Sequence, residues 1–350
     1  MDQPADPPGL DLARLREYLD RAAPGLVAGA LSAQVIVGGK SNLSYVLADG
    51  EHRWVLRRPP LGHVLATAHD MAREHRVMTA LAPTPVPVPA TVLHCADPEV
   101  LGAPFYIMEF VDGAIYRSPA ETRGLDPARC EAIAGALIDT LAELHEVDPA
   151  EIGLADFGRP AGFLERQVRR WKTQLDASRS RGLPGADELH AALAAAVPEG
   201  GRPCLLHGDY RLDNVVVGAG DRIAAVLDWE MSALGDPLAD LGLFLVYYSG
   251  VLSIPGVVAA VATPESGFPE PARLVERYAR RRPVDLSRLD WYVAFGFFKL
   301  AVIAEGIYYR FAAGQTVGAG FDRMGDAVLP LIAAGTEALA RDARPAPTSP

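Results

Sequence analysis

The order of apolar and polar positions divides the chain into a strand-rich first third and a mostly helical remainder. Leucines at helical spacing predict a helix within residues 9–30, and further apolar periodicity predicts another at about 67–82. Short alternating runs predict strands, with Asp49-Gly50 as a hairpin turn between the second and the third. The predicted strands are 33–37, 44–47, 53–57, 90–94 and 105–110.

Beyond residue 125 the pattern is mainly that of helices. Clear periodicity covers 132–146, 162–175 and 188–196, and helices resume from 237. Three short strands interrupt them at 204–206, 214–217 and 223–227, the last two joined by a turn at 218–221. Strands and helices are segregated rather than alternating, which predicts an α+β fold. We expect a first lobe over 1–112, a second over 113–340 and a disordered tail over 341–350.

Composition narrows the classes of function. The 350 residues include 44 acidic and 33 basic side chains, a net charge of −11, and no basic stripe suited to nucleic acid. The three cysteines form no CxxC pair, which argues against a disulfide framework or structural zinc and favours the cytoplasm. The uncharged run 241–263 is interrupted by Pro255, so we expect a buried core helix there and no membrane partner. Oligomeric state is not readable from the sequence.

The densest chemistry lies in the segment His207-Gly208-Asp209-Tyr210-Arg211-Leu212-Asp213-Asn214. Asp209 precedes Asn214 by five positions, and Asp228 ends the return strand of the following hairpin. A carboxylate and an amide oxygen are hard ligands suited to Mg²⁺ and a nucleotide phosphate. Asp209 is then free to accept a proton from a substrate hydroxyl. Turn formation alone does not explain these three residues in this order, although Asp and Asn favour turns.

This segment resembles the catalytic loop of the protein-kinase-like fold in its aminoglycoside-phosphotransferase form: His-Gly-Asp, four residues, Asn, then a strand ending in Asp. The resemblance implies a two-lobed fold, with Asp209 as catalytic base and Asn214 and Asp228 as metal ligands. It implies ATP, with GTP as the alternative nucleotide, and Mg²⁺ as cofactors. His207 is then a structural brace for the loop.

The first lobe offers the nucleotide-binding parts that such a fold needs. The glycine-rich turn between the first two strands contains Gly38, Gly39, Ser41 and Asn42, whose backbone and side chains can approach phosphates. Arg57 on the third strand stands where related kinases have Lys. An ordinary hairpin turn and a surface cation are the alternatives for these two features.

Periodicity gives the cation a partner independently of the motif. Met71, Met78 and Leu81 define the inward face of the helix at 67–82, and Glu74 falls on that face. A buried carboxylate needs a partner, and Arg57 is the natural one.

The fifth strand leads into the expected hinge between the lobes. In this fold adenine commonly binds hinge backbone groups, which here means Glu109 and Val111.

The acceptor is less well defined by the sequence. The amino-acid sequences of residues 56–60, 227–230 and 235–241 resemble one branch of this family, in which kinase-like domains are fused to acyl-CoA dehydrogenases. It implies a small-molecule hydroxyl acceptor, such as a hydroxyacyl compound or another partly apolar alcohol. Apolar and aromatic stripes in the second lobe are first explained by core packing, and the alternative is that they line such a pocket.

Three alternatives remain. One is an aminoglycoside O-phosphotransferase, whose cationic substrate would need acids in the cleft, with Asp213, Glu230 and Glu305 as candidates. Another is a nucleotide-binding pseudokinase-like module. A protein kinase is disfavoured because the sequence has no Ala-Pro-Glu and only seven residues between Asp228 and Asp236.

Overall fold

The structure is a computed structural model that describes residues 6–36, 42–61, 69–251, 261–315 and 321–342. The chain divides into two compact units. The first consists of Met1–Gly113 and Ala224–Glu230, and the second of Ala114–Ile223 and Met231–Pro350. A sheet dominates the first unit and helices the second, so the predicted α+β class is confirmed.

Five antiparallel strands build the sheet of the first unit, in the order β1-β2-β3-β5-β4. All five were predicted, each to within two residues. The carboxylate of Asp49 closes the β2–β3 turn by accepting hydrogen bonds from the backbone of Glu51 at 3.0 Å and His52 at 2.8 Å. The strands are β1 (Ser32–Val35), β2 (Leu43–Ala48), β3 (Arg53–Arg58), β4 (Thr91–Cys95) and β5 (Phe105–Glu109).

The alternation of side chains sends the two faces of this sheet to different partners. Leu56 of β3 and Ile107 of β5 pair directly and belong to one buried hydrophobic cluster. The next pair in the register, Arg57 and Tyr106, therefore points to the opposite face. Adjacent residues of the sheet thus contribute to an apolar core on one face and to a buried polar cluster on the other.

The first helix, α1 (Leu12–Ala22), is shorter than the expected 9–30. Asp11 caps its start by accepting from Arg14 N at 2.9 Å, and Pro24-Gly25 follows its end. The residue before a proline disfavours helical angles, which explains the early stop. The buried leucines of α1 join the same hydrophobic cluster as the sheet.

Helix α2 (Met71–Leu81) has the inward face that periodicity predicts. Asp70 caps it, and Met71, Glu74 and Met78 are buried. The expected start at 67 falls outside the described residues. A four-residue helix, α3 (Pro98–Leu101), was not predicted.

Helices make up most of the second unit, with α10 packed against α6, α7, α8 and α11. Among the described helices, α10 is long and apolar enough to span a membrane, but 67% of its most apolar window is buried within the protein. That burial is typical of a core helix. The helices are α4 (Pro119–Thr122), α5 (Pro127–Glu146), α6 (Phe163–Ser178), α7 (Ala186–Ala195), α8 (Pro237–Tyr248), α9 (Pro271–Arg281), α10 (Leu289–Ala312) and α11 (Met324–Asp342).

Two expected boundaries change. Helix α5 begins at Pro127 instead of 132 because Asp126 caps it through Ala128 N at 2.8 Å, with proline at the first helical position. At the other end of the chain, Arg341 and Asp342 of the expected tail still belong to α11, and 343–350 lie outside the described residues.

The predicted strands of the helical part are present as β6 (Cys204–Leu206), β7 (Val215–Val217) and β8 (Ile223–Val226). Gly218 N donates to Arg222 O at 2.8 Å and closes the turn before β8. β6 pairs antiparallel with a strand that was not predicted, β9 (Ala233–Gly235). This pairing places Leu206, at the end of β6 where the polar motif begins, opposite Ala233 at the start of β9.

Candidate functional site

The loop after β6 is held by its backbone. Asp240 of α8 accepts hydrogen bonds from the amides of His207 at 2.6 Å and Gly208 at 2.9 Å. Lys299 of α10 donates from Nζ to Gly208 O at 2.8 Å. His207 accepts at Nδ1 from the Asp209 amide at 3.2 Å, which is the brace expected of it. Side chains of two helices, α8 and α10, therefore bind the backbone of this loop.

Asp240 can reach the loop because α8 starts in a defined register. Asp236 caps the helix by accepting from Leu238 N at 2.9 Å, and Pro237 occupies the first helical position. The start of this helix at 237 was predicted. Asp240 itself is almost fully buried, and His145 lies against it with Nε2 at 3.4 Å from Oδ2. Burial lowers the pKa of His145, although Asp240 opposes that effect.

The carboxylate of Asp209 is held at both oxygens. Tyr247 donates its hydroxyl to Oδ1 at 2.6 Å, and Asn214 donates from Nδ2 to Oδ2 at 3.0 Å. The Nε atom of Arg211 lies 3.5 Å from Oδ2. Burial tends to raise the pKa of Asp209, but Arg211, the Tyr247 hydroxyl and Lys299 outweigh it and hold the pKa below its ordinary value. Asp209 is therefore ionised at neutral pH and can accept a proton.

Asn214 is oriented in a way that suits a metal ligand. Its Nδ2 donates to both the backbone oxygen of Asp209 at 2.8 Å and the carboxylate at 3.0 Å. Because the NH₂ end of the amide is committed to Asp209, the carbonyl oxygen is the end presented to other groups. A hard cation such as Mg²⁺ prefers such an oxygen. No group of three or more His, Cys, Asp or Glu within the described ranges suits a metal ion.

A second polar cluster lies within the first unit around Arg57. Its Nε is 3.0 Å from Glu74 Oε2, its Nη2 contacts Asp228 Oδ1, and the same nitrogen is 3.6 Å from Glu230 Oε2. Arg57 and Glu74 are 12% and 1% exposed, so the ion pair expected from periodicity is present and buried. One guanidinium thus faces three carboxylates.

Glu74 is surrounded by donors as well as by charge. Tyr106 donates its hydroxyl to Oε2 at 3.0 Å, and Asn42 donates Nδ2 to Oε1 at 3.2 Å. Burial, together with the charges of Asp228 and Glu230, raises the pKa of Glu74 to about 7 against the lowering effect of Arg57 and of the Tyr106 hydrogen bond. Three carboxylates thus share one guanidinium in this cluster.

Asp228 has an unusual backbone. Its φ is +65°, in the left-handed region that non-glycine residues rarely adopt. The buried indole of Trp229 donates to Val226 O at 3.0 Å, and Val226 N donates to Pro87 O at 2.8 Å. These bonds anchor the segment on both sides of the strained residue. Such strain is often found at functional sites.

The remaining predicted residues have different outcomes. Gly38, Gly39 and Ser41 lie outside the described residues. Asn42 is buried, and its amide also donates to Glu230 Oε2 at 3.0 Å, so here its donors face carboxylates. Glu109 is exposed, and its amide donates to Ala90 O at 2.8 Å. Val111 is half-buried.

Sequence reasoning missed several residues that shape the two clusters. Tyr247 and Lys299 contact the catalytic loop from helices whose apolar character was read as core or acceptor pocket. From the sequence, Tyr106 had no role beyond membership of the predicted strand 105–110. For Tyr106, the alternation along β5 carried a signal, because it places the residue on the Arg57 face. For Tyr247, helical spacing from Asp240 by two turns was the available signal.

Asn214 belongs to the second unit and Asp228 to the first. The expected proximity of these two residues stays a prediction.

Comparison with known proteins gives three informative matches. A model of the phosphotransferase enzyme family matches residues 32–291. Acyl-CoA dehydrogenase family member 11 from Rattus norvegicus is 36% identical over 313 residues, covering 87% of this chain and 40% of that protein. This chain therefore spans less than half the length of that relative. A crystal structure from Ralstonia eutropha, assigned to the aminoglycoside phosphotransferases, is 33% identical with a TM-score of 0.80, covering 95% of this chain and 98% of the other.

A more distant structure extends the fold comparison. An ADP-bound aminoglycoside phosphotransferase of the 2''-Ib type is 15% identical with a TM-score of 0.60, covering 94% of this chain and 99% of the other. At that identity the likeness concerns the fold alone.

Proposed function

Because this chain belongs to the phosphotransferase enzyme family, we propose that it transfers the γ-phosphoryl group of Mg-ATP to the hydroxyl of a small molecule, with Asp209 as catalytic base. The protein-kinase-like resemblance seen in the sequence is confirmed at the level of family and fold. The observation that carries the proposal is the Asp209 carboxylate, ionised and fixed by Asn214 and Tyr247.

The chemistry follows from that carboxylate. The acceptor oxygen forms a bond to the γ-phosphorus while the bond between that phosphorus and the bridging oxygen of ADP breaks. The hydroxyl proton passes to Asp209, and the released ADP keeps the electron pair of the broken bond. A base with a lowered pKa is ionised when the acceptor arrives, and its fixed orientation removes the entropy cost of aligning it.

The family resemblance assigns Mg²⁺ to Asn214 and Asp228. When bound, this ion neutralises phosphate charge. The amide orientation of Asn214 and the acidic surplus around Arg57 both support a cation at these residues. The proposal also keeps Gly38, Gly39 and Ser41 as phosphate contacts, although they lie outside the described residues.

The nucleotide contacts can be narrowed further. Arg57 would contact phosphate with Glu74 holding its orientation, and the buried ion pair supports that division of roles. The amide of Glu109 is committed to Ala90, so the amide of Val111 is the better candidate for binding the base. Measuring turnover with ATP and with GTP then shows which of the two bases the protein uses.

The acceptor is proposed to be a partly apolar alcohol, such as a hydroxyacyl compound. The acids that a cationic drug would need are already engaged: Asp213 pairs with Arg211 at 2.9 Å, Glu305 with Arg181 at 2.9 Å, and Glu230 accepts from Asn42. The likeness to a protein named for acyl-CoA dehydrogenation supports an acyl acceptor.

Three buried free thiols support a reducing, cytoplasmic setting.

An acceptor screen tests the proposal. The full chain is incubated with Mg-ATP or Mg-GTP and one of kanamycin, erythromycin, ethanolamine or 3-hydroxybutyryl-CoA, and phosphorylated product is measured by mass spectrometry. We expect product with the hydroxyacyl compound and none with kanamycin. Product with kanamycin alone would support the aminoglycoside alternative.

Two variants check that the product comes from this site. Asp209→Asn should abolish turnover in a protein that still folds, since the amide cannot accept the proton. Asp221→Asn, in the turn before β8, is the matched control and should keep wild-type turnover. Full turnover by Asp209→Asn would overturn the assignment of the base, and no turnover of any acceptor by the wild type would favour the pseudokinase-like alternative.

A further inference from the structure

The hydroxyl of Tyr247 lies directly against the proposed base. Its oxygen is 2.6 Å from Asp209 Oδ1, a length typical of a hydroxyl donating to a charged carboxylate. Tyr247 is 38 residues further along the chain and belongs to α8. It lies outside the His-Gly-Asp to Asn motif of residues 207–214.

The register of α8 explains this contact. Residues separated by three, four or seven positions share one face of a helix. Asp240 accepts from the amides of His207 and Gly208, the Phe244 ring lies 6.3 Å from that of Tyr210, and Tyr247 reaches Asp209. One face of α8 therefore faces the catalytic loop from Asp240 to Tyr247.

Tyr247 is itself held in place. The guanidinium of Arg211 lies over its ring, 4.9 Å from the centroid, and also pairs with Asp213 at 2.9 Å. The phenol thus approaches Asp209 Oδ1 from a stacked side chain on a buried helix. The contact with Arg211 and the position on α8 both limit the movement of the Tyr247 ring.

Each oxygen of the Asp209 carboxylate therefore accepts a hydrogen bond from a different side chain. Tyr247 donates to Oδ1 and Asn214 donates to Oδ2. Hydrogen bonds at both oxygens restrict the rotation of the carboxylate about its terminal torsion. Each carboxylate oxygen can accept more than one hydrogen bond, so an acceptor hydroxyl still finds a lone pair at Oδ1.

We propose that Tyr247 is a positioning residue, which holds the Asp209 carboxylate in the orientation that receives the acceptor proton. The inference rests on the proposed function and deepens it. Tyr247 makes no bond to the transferred group and acts through Asp209. Its effect should therefore be on the chemical step and not on the binding of either substrate.

Two neighbouring tyrosines on α8 provide the test. Tyr247→Phe removes the hydroxyl that touches Asp209. Tyr248→Phe is the matched control, because the hydroxyl of Tyr248 is also buried and donates to Pro269 O at 2.7 Å, away from the base. Both variants are assayed with Mg-ATP and whichever of kanamycin, erythromycin, ethanolamine or 3-hydroxybutyryl-CoA the wild type phosphorylates fastest. Each assay is run well below the melting temperature of the variant.

We expect Tyr247→Phe to lower kcat roughly ten- to hundredfold, the loss of one hydrogen bond to a charged group. KM for ATP and for the acceptor should stay within about twofold of wild type, as expected for a group that does not bind them. Tyr248→Phe should leave kcat unchanged. A merely structural role predicts that kcat of the folded protein is unaffected by either change.

The outcomes separate the inference from the function on which it rests. If Tyr247→Phe keeps the kcat of Tyr248→Phe, the positioning role is wrong while the proposed function stands. If both KM values rise and kcat does not fall, Tyr247 binds substrate and the inference is overturned. If the wild type phosphorylates none of the four acceptors, the proposed function fails, and the inference fails with it.

Discussion

The buried carboxylate of Glu74 gives the most quantitative prediction. It is 1% exposed and shares a single guanidinium, that of Arg57, with Asp228 and Glu230. Burial raises its pKa from 4.5 to about 7, and Arg57 does not fully offset this. The perturbation is Glu74→Gln, which removes the titrating group and keeps the size of the side chain.

The sign and size follow from linkage between protonation and folding. Because the pKa is higher in the folded than in the unfolded protein, stability from this group is present at low pH and falls as the pH rises from about 4.5 to about 7. Each pKa unit corresponds to about 1.4 kcal/mol, so the shift from 4.5 to about 7 amounts to about 3 kcal/mol. The Glu74→Gln variant should not show this fall in folding stability as the pH rises.

Two measurements check it, both without added nucleotide or divalent cation. Carbon-13 NMR of protein labelled at the glutamate carboxyls should show one signal that titrates near pH 7 and is missing from the variant. Urea unfolding at pH 4.5 and pH 8 should show the variant gaining about 3 kcal/mol on the wild type between the two values. Glu17→Gln, an exposed position on α1, controls for the loss of one charge.

The reasoning would be refuted if the Glu74 signal titrates near 4.5. Parallel pH profiles for wild type and Glu74→Gln would refute it independently. Either result would mean that Arg57 fully compensates the burial of Glu74.

Three further predictions concern the second unit and the thiols. Gly208→Ala should destabilise the protein by about 1–3 kcal/mol and lower its melting temperature, because φ is +85° there and a Cβ would lie 2.4 Å from Met231 O. An unchanged melting temperature would contradict the tight backbone conformation of the loop after β6. Burial lowers the pKa of His145, so folding stability from this group is lost as the pH falls below about 6.5, and His145→Gln should flatten that part of the stability profile in urea unfolding. All three cysteines are buried and free, so a thiol reagent such as DTNB should react slowly with native protein and with three thiols after denaturation, whereas a fast native reaction would show an accessible cysteine.

Sequence patterns carried much of the local structure because their causes are local. The spacing of apolar residues on α2 was sufficient to predict that Glu74 is buried. Strand alternation placed Arg57 on the face where the two residues form an ion pair. The cap at Asp236 and the turn at Asp49 were readable because Asp, Gly and Pro act on their own backbone neighbours. Where the sequence reading erred, as in the length of α1 and the start of α5, a proline or a cap had been given too little weight.

The sequence by itself therefore determined the family, the α+β class and the residues proposed for catalysis. It did so because a motif and a periodic pattern depend on near neighbours along the chain. Only the tertiary structure decided that β9 pairs with β6, that Lys299 binds the carbonyl of Gly208, and that the hydroxyl of Tyr247 meets Asp209. These contacts join residues far apart in sequence, and a helix pattern says which face is apolar without saying which polar group that face will meet.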